Sequence, residues 1–211
     1  MNFSKSTEVN KRIPKQKFYE NITITPTLKR IFVEQIKTIY WRNKIAATTV
    51  NLAPGKIVTE VEVFEMKLEK VPLDEAVLRQ IDREIPYHII FLLEYEGKYQ
   101  AWTSYKEASS GNTAFKVGTY YHTEWLPEED LPIHIDGLDM DAVWENIIVQ
   151  IGSVKIEQGK TLDEQIAKDE RKARTLKEIE RLEKLARAEK QPKKKYELVQ
   201  KINELKNQRD D

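Results

Sequence analysis

The chain has 211 residues and carries 35 basic against 35 acidic side chains, so its formal net charge is zero. Neutrality excludes a protein that binds nucleic acid with its whole surface, though not one with a local basic patch. The absence of cysteine excludes disulfides, thiolate catalysis and cysteine-ligated zinc or iron–sulfur centres.

Hydrophobic residues make up 40% of the chain, enough for a core, and charged residues 33%, above the ordinary share of about 25%. No apolar run approaches the roughly 18 residues a membrane span needs. Met1 to Lys17 is polar and basic without an apolar stretch behind it, so it does not read as a signal peptide. A cytoplasmic location is expected.

Residues 1–24 alternate basic and polar positions around Pro14 and read as an arm, docked through Phe18 and Tyr19 or left mobile. Thr25 and Pro26 cap and open a first helix. Leu28, Ile31, Phe32, Ile36, Ile39 and Tyr40 follow at helical spacing. A strand is expected from Ile45 to Leu52, a turn at Pro54-Gly55, and a second strand from Lys56 to about Lys70, together forming a hairpin. In that second strand Phe64, Met66 and Leu68 share one face, and Val61, Val63, Glu65 and Lys67 the other.

Pro72 opens a helix with Val77, Leu78, Ile81 and Ile85 as its buried stripe. The apolar run from Tyr87 to Tyr95 predicts a strand covered on both faces. Glu96-Gly97 turns the chain into a strand from Tyr99 to Tyr105. Ser109 to Asn112 reads as a polar loop, Phe115 to Trp125 as a strand, and 126–138 as a surface loop. Asp139 caps a helix burying Val143, Trp144, Ile147, Ile148 and Ile151, with Gly152 as its stop.

After residue 155 the composition changes. Thr161 and Glu164 form a capping box for a long helix reaching about Lys190. Its seam of Leu162, Ile166, Ala173, Leu176, Ile179, Leu182 and Ala186 is narrow. Beyond Pro192 a second helix carries Leu198, Val199, Ile202 and Leu205. The reading is therefore α/β (α+β): an arm over 1–24, a core over 25–155 with about five strands and three helices, and an antiparallel, coiled-coil-like hairpin over 156–211.

Three features could carry function. Glu65-Met-Lys67 sets an acid and a lysine on one strand face. The magnesium nucleases with a PD-(D/E)XK core present a metal ligand and a water-activating lysine in this way, and the following helix and apolar strand fit that core's order. The chemistry also needs a second acid, for which Glu60 or Glu62 would have to serve; both alternate onto the other face. A solvated strand face with an ion pair explains the same residues. Magnesium is implied only under the nuclease reading; otherwise no cofactor or metal is expected. Second, Lys190, Lys193, Lys194 and Lys195 cluster at the hairpin turn and could meet phosphates. The aromatic group Trp102, Tyr120, Tyr121 and Trp125 could stack bases, although alternation makes half of them core. Third, the hairpin offers Leu176, Ile179, Leu182, Leu198 and Ile202 as partner contacts, unless they close upon each other.

Val61 to Leu68, Ile85 to Leu93 running into Tyr99 to Tyr105, and the tail from Asp169 to Leu198 together resemble a bacterial family. It is known only as a domain of unknown function, numbered forty-three ninety-one. The resemblance covers most of the chain and brings no catalytic motif. Members of that family tend to be encoded beside DNA methyltransferases and helicase-like proteins in restriction or phage-defence clusters. The resemblance therefore implies an accessory subunit with a helicase or methyltransferase as partner. A diverged nuclease and a DNA-binding module without catalysis are the alternatives.

Overall fold

A computed structural model describes residues 1, 3–21, 23–108 and 115–210. The expected loop at Ser109 to Asn112 lies outside them. Two compact units are present, Met1–Lys155 and Ile156–Asp211.

The first unit is built on a sheet of six strands, one more than expected, in the order β1 to β6. These are β1 (Glu8–Ile13), β2 (Ile36–Ala46), β3 (Glu60–Leu68), β4 (His88–Tyr95), β5 (Lys98–Ala108) and β6 (Phe115–His122). All neighbours pair antiparallel except β3 and β4. That parallel pair needs a crossover, which α4 (Glu75–Glu84) supplies.

The extra strand comes from the arm. Glu8–Ile13 pairs with β2 at the sheet edge, and α1 (Lys15–Asn21) places Phe18 against Phe32 and Phe64. The first helix, α2 (Pro26–Gln35), is shorter than its spacing suggested. The chain becomes extended at Ile36, where a β-branched and aromatic run (Ile36, Thr38, Ile39, Tyr40, Trp41) favours pleated backbone over helix. The expected strand over Ile45 to Leu52 is therefore the end of β2 followed by the one-turn α3 (Ala47–Val50). Pro54-Gly55 is no hairpin turn. It belongs to the long connection between β2 and β3.

The sequence of β3 changes phase halfway. Glu60 and Glu62 precede Phe64, Met66 and Leu68 on one face; Val61 and Val63 precede Glu65 and Lys67 on the other. The packing explains the change. On the first face, α1, α2 and α4 cover Phe64, Met66, Leu68, Ile89, Phe91 and Leu93. On the second, α5 (Met140–Gly152) covers the opposite half: Trp144 meets the His88 ring at 4.7 Å, and Gly152 abuts Tyr121. Helices thus cover diagonal halves of β3, and each face of that strand carries its charges where the helices do not reach. The run over β4 is buried on both faces, as expected for a central strand.

Glu96-Gly97 joins β4 to β5 with φ positive at both residues, 51° and 77°, the geometry of a tight hairpin turn. At the end of α5, Ser153 and not Gly152 takes the left-handed conformation. Gly152 is needed for space, because a Cβ there would meet the Tyr121 ring at 2.7 Å.

The second unit is a helical pair, α6 (Leu162–Ala188) and α7 (Pro192–Asp210). Thr161 Oγ1 accepts from Glu164 N at 3.3 Å while Glu164 Oε2 accepts from Thr161 N at 3.0 Å, completing the capping box. Among the described residues no helix is long and apolar enough to cross a membrane.

Candidate functional site

The uncovered half of the second sheet face holds Glu65 and Lys67, and they are not alone there. Strand pairing sets Tyr40 opposite Glu65 on β2 and Leu92 opposite it on β4, with Glu94 beside Lys67. A register irregularity between Trp41 and Asn43 accommodates Arg42, which reaches Glu65. Its Nη1 lies 3.1 Å from Glu65 Oε2, and its Nη2 lies 2.7 Å from Glu128 Oε1. Lys67 Nζ stands 3.9 Å from Glu65 and 3.8 Å from Glu94. Three carboxylates and two cations thus form one mesh linking β2, β3, β4 and the 126–138 loop.

Burial pushes the Glu65 carboxyl above its usual range, opposed by Arg42 and Lys67. Burial and the surrounding carboxylates lift the Tyr99 phenol to about 12. Arg42 is held more firmly protonated by Glu128 and Glu65.

This geometry bears on the nuclease chemistry. The β1–β2–β3 meander followed by a helix and a parallel strand keeps the expected element order. Glu65 and Lys67 do share a face and approach each other. The acid that should join Glu65 from the preceding strand is missing: Tyr40 and Arg42 stand there. Glu62 does not substitute. It lies on the opposite face, where Trp41 Nε1 donates to it at 2.5 Å and Lys44 pairs with neighbouring Glu60. Glu65 and Glu62 therefore do not bind one ion. The Arg42 guanidinium already supplies the positive charge a divalent ion would bring. Among the described residues no three histidine or acidic side chains are arranged to hold a metal.

Alternation had separated Glu62 from Glu65 correctly. It missed Arg42, Glu94, Glu128 and Tyr99. The signal for Arg42 was present in the even positions Thr38, Tyr40 and Arg42, masked by the helical spacing read across the same stretch.

A second polar group is closed to solvent. Asp82 Oδ2 accepts from Ser104 Oγ at 2.5 Å and from Tyr120 OH at 2.6 Å; Oδ1 faces Lys106 Nζ at 2.9 Å. Lys106 also donates to the Tyr87 carbonyl at 2.5 Å. Both charged side chains are wholly inaccessible, so the group fastens α4 to β5 and β6 and meets no ligand. Tyr120 is thereby committed to the interior, and Trp102 stacks on His122 at 4.3 Å. Neither is disposed as an open base-stacking platform. His88 is a core residue, its imidazole driven down to about 3 by burial with help from Lys106. His134 meets Gln150.

In the helical pair the seam closes on itself. Ile179, Leu182, Ala186 and Ile202 are buried together with Leu198 and Leu205 against them. Of the five positions expected to contact a partner, Ile179, Leu182 and Ile202 are internal, Leu198 is half-buried, and Leu176 remains 44% exposed. Leu185 at 46% and Val199 at 40% are exposed as well. Lys190, Lys193, Lys194 and Lys195 are all exposed around the turn.

Comparison with curated proteins found no match, and comparison with solved structures found none. The family model described as Domain of unknown function (DUF4391) matches residues 1–208. The chain belongs to that family.

Proposed function

We propose that this chain is a non-catalytic accessory subunit of a DNA-modification or helicase-based defence system, and that its helical pair docks it onto a larger subunit. The observation that carries this reading is the incompleteness of the pair. Two helices close one seam only, and here Leu176, Leu185 and Val199 stay exposed outside it. Leu185 lines one groove between the helices and Val199 the other, so such a pair is half of a four-helix bundle, and amphipathic helices of a partner, one along each groove, would bury those side chains. The body supports the same reading, since Arg42 and Tyr40 stand where nuclease chemistry needs an acid. The identity of the partner, a helicase or DNA methyltransferase, rests on the gene neighbourhoods typical of the family that the chain resembles.

The test is affinity purification from the native organism of the full chain and of a version ending at Glu157. Recovery of one dominant helicase or methyltransferase with the full chain, lost on truncation, is the expected result. Equal recovery with both versions would move the interface to the body and defeat docking through the helices.

The retained element order favours one second reading, a diverged magnesium nuclease using Glu65 and Lys67. Magnesium-dependent cleavage of DNA by the purified chain, abolished by Glu65→Ala, would establish it in place of the accessory role.

A further inference from the structure

Charge along the helical pair is uneven. From Leu162 to Glu183 it is nearly balanced, with seven acids against six bases, and Arg174 pairs with Glu170 at 3.3 Å and Arg181 with Glu178 at 2.7 Å. Lys206 crosses from α7 to Glu183 at 2.8 Å. Toward the turn this balance is lost. Lys190, Lys193, Lys194 and Lys195 form no ion pair among the described residues, while Arg187 and Lys201 lie within electrostatic reach of Glu183 and Glu178. Between Lys184 and Asn203 the only acids are Glu189 and Glu197. Glu189 is turned inward on the turn itself, accepting from Gln191 N at 2.8 Å. Tyr196 stands among these lysines, 64% exposed.

Solubility does not explain the concentration. A mixed-sign surface serves solubility, and the rest of α6 has one. Nor is the chain basic overall, since its charges balance. Positive charge has been gathered at one end of one unit. It is also distributed around that end. Lys194 and Lys201 line one groove between the helices with Leu185, Leu198, Glu189 and Glu197; Arg187, Lys195 and Lys206 line the other with Val199 and Glu183.

We infer that the turn end of the helical pair is a DNA-backbone site, taking duplex DNA by its phosphates without reading sequence. A cluster of exposed lysines around the turn imposes no register on its ligand. It suits a polyanion whose charge is continuous, about one per 1.7 Å of duplex axis. An acidic protein segment, with charges at fixed positions, would call for a directed row of cations. The inference does not rest on the docking proposal, because it is tested on the purified chain alone.

The measurement is fluorescence anisotropy of a labelled duplex of arbitrary sequence, titrated with the full chain over a series of salt concentrations. Binding is expected in the micromolar range at low salt, weakening with salt at a logarithmic slope of roughly −0.9 per phosphate engaged. Replacing Lys193, Lys194 and Lys195 by Gln is expected to lower affinity at least about tenfold and to reduce the slope by about 2 to 3. All three side chains are exposed, and an unchanged helical circular dichroism signal would show that the fold persists. A parallel Lys11→Gln, Arg12→Gln variant, in the other basic stretch, is expected to bind like the parent. No binding at low salt would overturn the inference. So would equal affinity of the lysine variant, equal loss in the Lys11, Arg12 variant, or tighter binding of poly-glutamate than of DNA.

Discussion

Arg42 Nη1 lies 3.1 Å from Glu65 Oε2, in the place where a metal-dependent nuclease would set its second acid. The guanidinium serves two carboxylates, Glu65 and Glu128. Removing it leaves Glu128 without this partner and Glu65 with only the more distant Lys67, 3.9 Å away, whereas removing the Glu65 charge leaves only one of its interactions unmet. Arg42→Ala is therefore expected to destabilise the first unit by about 2 kcal/mol, and Glu65→Gln by about 1 kcal/mol or less. Chemical denaturation of the two variants measures the difference. Because Arg42 fills the charge of the site, millimolar magnesium is expected to leave the melting temperature unchanged. A magnesium-dependent rise would show linked ion binding.

The Asp82–Lys106 pair has zero side-chain exposure on both sides. Taking either partner away strands the other in the interior, which costs about 3–5 kcal/mol. Asp82→Ala and Lys106→Ala are both expected in that range by urea unfolding. The double replacement Asp82→Leu, Lys106→Met removes both charges and fills the space. It is expected to be less destabilised than either single variant. A double variant as unstable as the sum of the singles would mean that Ser104 and Tyr120 hold the region together through Asp82 alone.

Glu62 gives the first unit a pH dependence. Burial, with Glu60 beside it, lifts its carboxyl to about 7, against the hydrogen bond from Trp41. The folded state thus holds this proton more tightly than the unfolded chain. Its contribution is complete below the ordinary value of 4.5 and is lost as pH rises toward about 7. Glu62→Gln keeps an oxygen for Trp41 and removes the titration. The variant is expected to exceed the parent in stability by about 2 kcal/mol at pH 8 and to match it near pH 4.5, as seen in denaturation midpoints across that range.

Asp141 works in the opposite sense. Its carboxylate accepts from Lys56, Ile57 and Val58 N–H at 2.7, 3.1 and 2.8 Å, and these bonds hold its titration below the ordinary carboxylate value despite burial. The stability it adds is present above 3.8 and is lost as pH falls through its lowered value. Gly55 makes the approach feasible, since a Cβ there would stand 2.3 Å from Asp141 Oδ1. Asp141→Ala and Gly55→Ala are each expected to cost about 2 kcal/mol and to speed amide exchange at Lys56 to Val58.

What could be read from the sequence follows from what kind of signal each element carries. The capping box at Thr161 and the central strand over His88 to Tyr95 are local patterns, and both are present. The alternation of β3 placed Glu65 and Lys67 together and Glu62 apart, because strand period is set by backbone geometry alone. Ile36 to Tyr40 misled, since isoleucines three apart fit a helix face while β-branching favours a strand, and pairing with both β1 and β3 decides between them. Residues 8–13 alternate too weakly to announce an edge strand. Arg42 with Glu128, and Asp82 with Lys106, meet across 86 and 24 residues of chain, and only the tertiary fold brings them into contact.

The helical pair separates folding from docking at neighbouring positions. Ile179 is 3% exposed inside the seam, and Leu176, one turn away, is 44% exposed. Ile179→Ala opens a cavity in a core of few side chains and is expected to cost about 2–4 kcal/mol, lowering the helical signal on heating. Leu176→Ala removes an exposed side chain and is expected to stay within about 0.5 kcal/mol of the parent. If the second unit docks partner helices along its two grooves, Leu176→Ala combined with Leu185→Ala, on opposite flanks of the seam, should reduce co-purification of that partner while thermal unfolding stays unchanged. Ile179→Ala should reduce both. Retained co-purification in the double surface variant would exclude those two leucines from the interface. Loss of co-purification only in step with loss of helix would mean that the seam serves folding alone.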